Sequence, residues 1–432
     1  MVTVLESVVL LATWGTSVTR GQSPTPAPPP RSLPACATTL PTLNPHMGTR
    51  LGCTISFDTS VVSSAYRSVT PLDLDEVGEG LVDVNYITPQ SRTIPALPPR
   101  SASSTIISGI TWDSASVIRT AIGSDLWPVT WGSDDSLYFS WGDGGGFGGT
   151  DALGRVSLGF ARVGGTPPNI TETNVWGGYN ALTEPTFGGK VWALISVNAT
   201  LYAIGAVWPG TAGVSTISSP MEARLLWSSD RGSSWQYTNW TFYDSSTTDF
   251  FYPTGFAQFG KDNEGARDGY VYLYGARSPQ ETSGLEGLLY LVRVPSGQLL
   301  AKAEYQWYAG LDGQGAPIWT SERANREPVF ADTTGLGSPG DPVYNATLRR
   351  YVSAGQGRYV NQLSLFEAPE PWGPWSTIVQ YSDWGGYGNK ESLGFHFPAK
   401  WISLDGKTMW AVFSSTGNLD SFNLIKATLS LK

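Results

Sequence analysis

One short hairpin pattern recurs five times between residues 126 and 414, at intervals of roughly sixty to eighty-five residues. Each copy has an apolar run, a polar turn and a second run rich in Tyr, Trp and Val. The copies are Leu126 to Asp143, Val191 to Val207, Gly255 to Arg277, Asp341 to Gly357 and Phe397 to Ser415. Repeats of this kind bury a core only by stacking on one another, and stacked units made of strands form a propeller. The pattern therefore predicts an all-β chain folded as a five-bladed β-propeller with a short N-terminal extension.

The spacing allows about 65 residues, or four strands, for each blade, whereas six or seven blades would need shorter units. The apolar segment Thr105 to Ile118 is predicted to begin the first blade, and Phe422 to Leu431 is predicted to be the last strand. We expect strands from opposite ends of the chain to pair and close the ring, because closure removes open sheet edges.

The segment from Ser228 to Trp235 fits the pattern S-x-D-x-G-x-x-W. In such a turn the Asp side chain accepts hydrogen bonds from turn amides, Gly takes the left-handed conformation and Trp packs beneath. The pattern resembles the Asp box of sialidase-like propellers, which marks an outer hairpin. Asp230 is therefore predicted to be structural, not catalytic.

The composition favours a glycan as partner. The net charge is −9 and no Lys/Arg cluster is present, which argues against nucleic acid. The 18 Trp and 19 Tyr exceed what a core of this size requires, and many lie beside Gly or polar residues, as on surfaces that stack sugar rings. No segment beyond the N-terminus is apolar for long enough to cross a membrane.

The N-terminal region has the features of a secreted protein. We expect a signal peptide at residues 1–22, a Pro-rich spacer at 23–35, an extension at 36–104 and the propeller at 105–432. Cys36 and Cys53 are predicted to form one disulfide, the alternative being two free thiols. Glycosylation sequons occur at Asn169, Asn198, Asn239 and Asn345, and four glycans would favour an extracellular monomer.

Each predicted blade offers an acidic residue just before its inner strand, where polar side chains from different blades converge on the central channel. These residues are Asp125, Glu184, Asp249, Glu327 and Glu391, with His396 close to the last. Two carboxylates across a channel can cleave a glycosidic bond as acid and base. Simpler interpretations are a turn cap for Asp125, an ion pair with Arg326 for Glu327, and a core histidine for His396. If His396 is instead catalytic, Lys400 is expected on the same face.

The run from Trp141 to Gly149 places Asp143 in a Gly-rich loop that a ligand could approach closely. The loop lacks the Lys and Ser/Thr of a phosphate-binding loop, so nucleotide binding is rejected. Asp143 could be a catalytic acid, an acceptor for sugar hydroxyls or a Ca²⁺ ligand, or the loop could be a plain flexible hairpin. No zinc-spaced Cys/His set and no G-x-S-x-G motif occurs, so no other cofactor and no serine nucleophile is expected.

Several separated blocks resemble a family of secreted proteins long described only as a domain of unknown function, some members of which are endo-acting glycoside hydrolases that cut D-arabinan. The blocks are SDLWPVTWGSDDSLYFSWGDGGGF, YLVRVP, YAGLDGQGAPIW, REPVFAD, FEAPEPWGPW and GFHFPAKWISLDGKTMWAVFS. The resemblance covers roughly residues 105 to 430 and implies a five-bladed glycosidase. Five-bladed furanosidases use three inner-strand carboxylates; by position Asp125 matches the base and Glu327 or Glu391 the acid.

The leading hypothesis is thus a secreted glycoside hydrolase acting on an arabinan-like polysaccharide. Asp143 and Arg326 would hold hydroxyls, and Trp127 and Trp384 would stack on sugars. One alternative is a polysaccharide lyase, which needs cations around a uronate and a His or Tyr base. The residues available for that chemistry are His396, Lys400, Arg326 and Tyr387. The other alternative is a non-catalytic glycan-binding propeller whose acids bind Ca²⁺.

Overall fold

The computed structural model describes residues 102–211, 223–242, 251–276, 288–331, 338–339, 341–356, 363–381, 384, 392–415 and 420–432. Within these residues five antiparallel sheets stand around one axis, so the fold is the predicted five-bladed β-propeller. The predicted signal peptide, spacer and cysteine pair, and nearly all of the predicted extension, lie outside the described residues.

The first described strand is β1 (Ile107–Thr120). Blade 1 consists of β2 (Asp125–Trp131), β3 (Leu137–Gly142), β4 (Leu158–Thr166) and β5 (Asn169–Trp176). Blade 2 consists of β6 (Phe187–Val197), β7 (Thr200–Pro209), β8 (Ala223–Ser228) and β9 (Gln236–Tyr237). Blade 3 consists of β10 (Tyr252–Phe256), β11 (Tyr270–Ala276), β12 (Leu288–Pro295), β13 (Gln306–Leu311), β14 (Pro317–Thr320) and β15 (Pro328–Ala331), which pairs with β12.

Blade 4 consists of β16 (Ser338–Pro339), β17 (Val343–Asn345), β18 (Arg350–Gln356), β19 (Leu363–Ala368) and β20 (Ser376–Tyr381). Blade 5 consists of β21 (Ser392–His396), β22 (Thr408–Ser415), β23 (Ser421–Leu431) and β1. Short 3₁₀ helices lie at Lys261–Asn263, Lys302–Glu304, Arg323–Asn325 and Ala399–Trp401.

The five sequence repeats lie on the inner hairpins of the five blades. Four of them overlap the strand pairs β2–β3, β6–β7, β10–β11 and β17–β18, and the fifth begins directly after β21 and ends with β22. An inner hairpin is covered by neighbouring blades on both faces, so its strands are apolar almost throughout, and all six residues of β3 are buried. This shared burial explains why the inner hairpins are the part of each blade that the sequence repeats.

The ring closes by pairing the two ends of the described chain, as predicted. β1 runs antiparallel to β23 from Ile107 opposite Leu431 to Thr120 opposite Phe422. The prediction that this N-terminal strand begins the first blade is wrong, because it forms the outer edge of blade 5. Just before it, the amide of Ser104 donates to the carbonyl of Thr377 in β20, so the chain contacts blade 4 before it enters blade 5.

Aromatic side chains fill the spaces between blades. Between blades 1 and 5, Trp127 lies 5.0 Å from Phe422 and 5.9 Å from Trp141, measured between ring centroids. Between blades 4 and 5, Trp384 lies 5.0 Å from both Trp112 and Phe413. These rings are therefore part of the interblade core.

The turn between β8 and β9 has the contacts expected from its sequence. The amide and hydroxyl of Ser234 donate to the Asp230 carboxylate at 2.9 and 2.6 Å, and Gly232 has a φ of 84°. Trp235 is buried beneath the turn and donates through Nε1 to the Gly232 carbonyl. Asp230 thus lies in an outer turn of blade 2, which agrees with a structural role.

Candidate functional site at the channel mouth

Two acidic residues of blade 1 lie at the same end of the central channel. Asp125 is the first residue of β2, and its backbone partner in β3 is Gly142, the residue directly before Asp143. Antiparallel pairing of the inner hairpin therefore brings together two acids that are far apart in sequence. Both carboxylates are buried, at 5% exposure each.

A lysine from blade 2 completes this group. Lys190 lies in β6 with 2% exposure, and its Nζ is 2.5 Å from Asp143 Oδ1. A Cβ placed on Gly142 would lie 2.8 Å from Asp125 Oδ1 and 3.0 Å from Lys190 Nζ, so this glycine makes room for both groups. Arg155 Nη2 lies 3.7 Å from the same oxygen of Asp143. The channel mouth thus holds two carboxylates, one of which, Asp143, is paired with two cations.

Lys190 was not among the residues predicted from the sequence. It lies inside the strand sequence FGGKVWALISV, where an isolated charge among apolar residues was the available signal. A lysine buried this deeply is rare unless it is paired. Its burial between two blades is what identifies it as part of the site.

The Gly-rich loop behind Asp143 is fixed by a buried amide. The backbone N–H of Phe147 donates to Asn174 Oδ1 at 3.0 Å, and Asn174 Nδ2 lies 2.9 Å from the Phe147 carbonyl and 2.7 Å from that of Tyr179. On the other side, the Gly146 amide donates to Ser124 Oγ at 2.9 Å. These bonds hold the loop in one conformation, which argues against the interpretation of a plain flexible hairpin.

A second polar pair, Asp341 and His396, joins blades 4 and 5. His396 Nδ1 lies 3.3 Å from Asp341 Oδ2, and the other oxygen, Oδ1, accepts the Phe256 amide at 2.8 Å. Burial raises the pKa of the Asp341 carboxyl above its usual value, while the contact with His396 acts in the opposite direction. Asp341 was not among the sequence candidates, whereas His396 was.

Below these groups, hydrogen bonds tie the inner strands of blades 1 and 2 to the segment that follows β10 in blade 3. Thr130 donates to Gln258 Oε1 at 3.0 Å and accepts the Ser196 amide at 2.9 Å. Gln258 Nε2 in turn donates to the Leu194 carbonyl at 2.6 Å. In β6, Lys190 lies beside the start of β2, and Ser196 lies beside Thr130, near the end of β2. The two strands β2 and β6 therefore run in the same direction. The acids therefore face one end of the channel, and this network crosses it further in.

Two other predicted site residues, Glu327 and Arg326, lie away from the channel, and their predicted roles are wrong. Both directly precede β15, which pairs with the third strand of blade 3 and not with an inner strand. Glu327 is exposed on this outer edge. The guanidinium carbon of Arg326 lies 4.9 Å from the Tyr290 ring centroid, and Nη1 donates to the Arg323 carbonyl. The sequence N-R-E-P was predicted to lead into an inner strand, but it ends a loop on the outer side of blade 3.

The predicted sugar platforms and one predicted cation are also wrong. Trp127 is 0% exposed and Trp384 is equally part of the core, so neither ring face is open to a sugar. Lys400 binds Asp135, with Nζ 3.0 Å from Oδ2, in the turn between β2 and β3 at the opposite end of the channel. The 3₁₀ turn at Ala399–Trp401 breaks the strand after His396, so Lys400 does not share the face of His396.

Other predictions fall on the surface or outside the described residues. Asn345 is wrong as a glycosylation site, because it is 1% exposed and its Nδ2 donates to the Gly406 carbonyl at 2.7 Å. Asn169, Asn198 and Asn239 are exposed, and their glycosylation stays a prediction. Glu391, Asp249 and Tyr387 lie outside the described residues. Within the described ranges, no group of three or more His, Cys, Asp or Glu side chains could hold a metal ion, and no helix is long and apolar enough to span a membrane.

Comparison with known proteins gives a family match for part of the chain. Residues 207–415, from the end of β7 to the end of β22, match the model of a domain of unknown function, DUF4185. This segment does not include the hairpin with Asp125 and Asp143. A search of curated proteins finds no match.

Solved structures with a similar arrangement are distant in sequence. A putative hydrolase from Bacteroides ovatus is 12% identical, with a TM-score of 0.46 over 76% of this chain and 93% of that one. A GH43_1 enzyme from Xanthomonas citri is 12% identical, with a TM-score of 0.42 over 74% and 94%. A family 117 glycoside hydrolase from Zobellia galactanivorans is 8% identical, with a TM-score of 0.38 over 76% and 92%. Similarity this low leaves the function to be argued from the site.

Proposed function

We propose that the protein is a secreted glycoside hydrolase that cleaves a neutral, arabinan-like polysaccharide at the mouth of the propeller channel. The observation that carries this proposal is the cluster of Asp125, Asp143 and Lys190, in which the buried ammonium contacts the Asp143 carboxylate and the buried Asp125 carboxylate lies on the other side of Gly142. Paired carboxylates at a cleft are the usual catalytic groups for glycosidic bonds.

The surroundings of the two acids suggest different roles. Asp143 contacts Lys190 at 2.5 Å and Arg155 at 3.7 Å, and such cations favour the charged form of a carboxylate. Asp143 is thus suited to stabilise or attack the positively charged sugar carbon, directly or through a water molecule. Asp125, for which the resemblance implied the role of base, is then left to donate a proton to the glycosidic oxygen as that bond breaks. If Asp143 has attacked the sugar, Asp125 then takes a proton from the water that releases the product. Lys190 orients Asp143 and, with its charge beside the same glycine as Asp125, limits the repulsion between the two carboxylates.

The charge balance at the mouth favours a neutral substrate over a uronate. A lyase would need cations available for the substrate carboxylate, but Lys190 and Arg155 already contact Asp143. Two of the remaining groups considered for a lyase, Lys400 and Arg326, lie at the far end of the channel and on an outer edge. A lyase is therefore the weaker candidate.

The test is incubation of the purified protein with a panel of polysaccharides that includes arabinans and uronate-capped gums. We expect new reducing ends without ultraviolet absorbance, and loss of at least a hundredfold in rate for Asp125→Asn and for Asp143→Asn. Glu327→Gln serves as the matched control, since it removes an exposed carboxylate on the outer edge. The anomeric form of the first product, read by NMR, decides whether Asp143 attacks the sugar or activates water.

Absorbance from unsaturated ends would show a lyase instead. Binding without any release of products would show a glycan-binding propeller. Full activity in both Asn variants would refute the assignment of the two acids while leaving the reaction class intact.

A further inference from the structure

The chain has two histidines, and one of them, His396, is held in the channel by a carboxylate that is itself fixed on two sides. Asp341 is 3% exposed and His396 is 6% exposed. Asp341 Oδ1 accepts the Phe256 amide, and a Cβ on Gly255 would lie 2.6 Å from that oxygen. The absence of a side chain at position 255 thus allows the carboxylate to reach the backbone of β10. This leaves Oδ2 to face the imidazole.

His396 lies close to the proposed catalytic acids. A Cβ on Gly394, two residues before it, would lie 2.7 Å from the carbonyl oxygen of Leu126, the neighbour of Asp125. Strands advance about 3.3 Å per residue, so His396 lies roughly 7 Å further along the channel than Leu126 and about 10 Å further than Asp125. At the far end, Lys400 contacts Asp135, which confirms that β21 and β2 run in the same direction. The imidazole therefore lies further into the channel than the two carboxylates.

The two nitrogens of the ring have different surroundings. Nδ1 is buried 3.3 Å from Asp341 Oδ2. An ionised carboxylate only accepts hydrogen bonds, so it favours the neutral imidazole that carries its proton on Nδ1. In that tautomer Nε2 has a lone pair and can accept a hydrogen bond from a hydroxyl group.

We propose that Asp341 holds His396 in the Nδ1–H tautomer, so that Nε2 accepts a hydrogen bond from a hydroxyl of the sugar ring bound between Asp125 and Asp143. His396 is then a substrate-recognition residue, and Asp341 is its positioning residue. The second half of this inference rests on the proposed function. The first half, the tautomer, does not.

The first experiment reads the tautomer in the free protein. With ¹⁵N-labelled histidine the protein gives two imidazole spin systems, and His46→Gln identifies the one that belongs to His396. At a pH where histidine is neutral, we expect Nδ1 to carry the proton. In Asp341→Asn the amide oxygen keeps the Phe256 contact and the NH₂ group faces the ring, so the proton should move to Nε2. A proton on Nε2 in the unmodified protein, or no change in Asp341→Asn, would overturn the inference whatever the enzyme does.

The second experiment reads recognition with D-arabinan oligosaccharides as the probe. We expect His396→Phe and Asp341→Asn to raise KM about tenfold with little change in kcat. Each variant loses one hydrogen bond to the sugar, and this bond is equally strong in the ground state and in the transition state. His396→Gln, which offers an acceptor oxygen, should recover part of the loss. Asp405→Asn, in an exposed turn at the far end, is the matched control. An unchanged KM in His396→Phe would refute the contact with the sugar.

Failure of the proposed function can be distinguished from failure of the inference about His396. If no polysaccharide is hydrolysed, the proposed function fails, and the tautomer is still decided by the free protein. In that case the oligosaccharides are titrated into the labelled protein. A shift of the His396 Nε2 signal on binding supports recognition, and binding without a shift, or no binding, refutes it.

Discussion

Replacing Lys190 by Met should destabilise the fold strongly, because it removes the cation that is paired with the buried carboxylate of Asp143. The Met side chain has nearly the length of the lysine stem, so the change creates little cavity and mainly deletes charge. Asp143, whose side chain is 6% exposed, loses a contact of 2.5 Å. Removing one partner of a buried ion pair usually costs about 3–5 kcal/mol, since the remaining charge stays out of water. Arg155, 3.7 Å from the same oxygen, compensates in part, and we expect a loss near the lower end of that range.

The assay is urea unfolding followed by tryptophan fluorescence, for which the 18 Trp residues provide signal. A change of the midpoint at constant slope reports stability. The double variant Lys190→Met with Asp143→Asn should recover most of the loss, because the second change removes the charge that the first left uncompensated. Lys400→Met is the control for loss of a positive charge elsewhere. A loss below about 1 kcal/mol for Lys190→Met, or losses that simply add in the double variant, would refute the buried ion pair.

Three further predictions follow from the placement of single residues. Trp127→Phe should lower the melting temperature without changing KM, because the ring is core and not a sugar platform; a raised KM would contradict this. Lys400→Ala should cost less than about 1 kcal/mol and leave hydrolysis unchanged, as its partner Asp135 is largely exposed; loss of activity would place it in the site. Burial opposes the charge on Asp230, but hydrogen bonds from Ser234 outweigh it and hold its pKa below the usual value. The lowered pKa stabilises the fold fully above the unfolded pKa of about 4, and this stabilisation is lost as pH falls through the pKa of Asp230 in the folded protein. In thermal melts, the melting temperature of Asp230→Asn should therefore fall less between neutral and acid pH than that of the unmodified protein.

Residues of the candidate site could be predicted from the sequence only where an acidic side chain lies at the end of a strand. Asp125 and Asp143 stand at the two ends of one hairpin beside turn and glycine signals, and both are candidates from the sequence alone. Lys190 and Asp341 were missed because they lie within or next to apolar segments, where a single polar residue has no local pattern. Arg326 was misplaced since the sequence does not distinguish an inner strand from an outer one.

The sequence by itself determined the five blades, because hairpin pairing is local and each inner hairpin carries its own apolar pattern and turn. Tertiary structure alone decided which elements meet. The pairing of β1 with β23 joins residues more than 300 positions apart, and Lys190 reaches Asp143 across two blades. The same holds for aromatic residues: Trp384 stands between Asp383 and Gly385 in the sequence, yet packing between blades buries it, as it buries Trp127. Whether a polar or aromatic side chain forms a site or a core thus depends on packing between blades, which no single segment of the chain encodes.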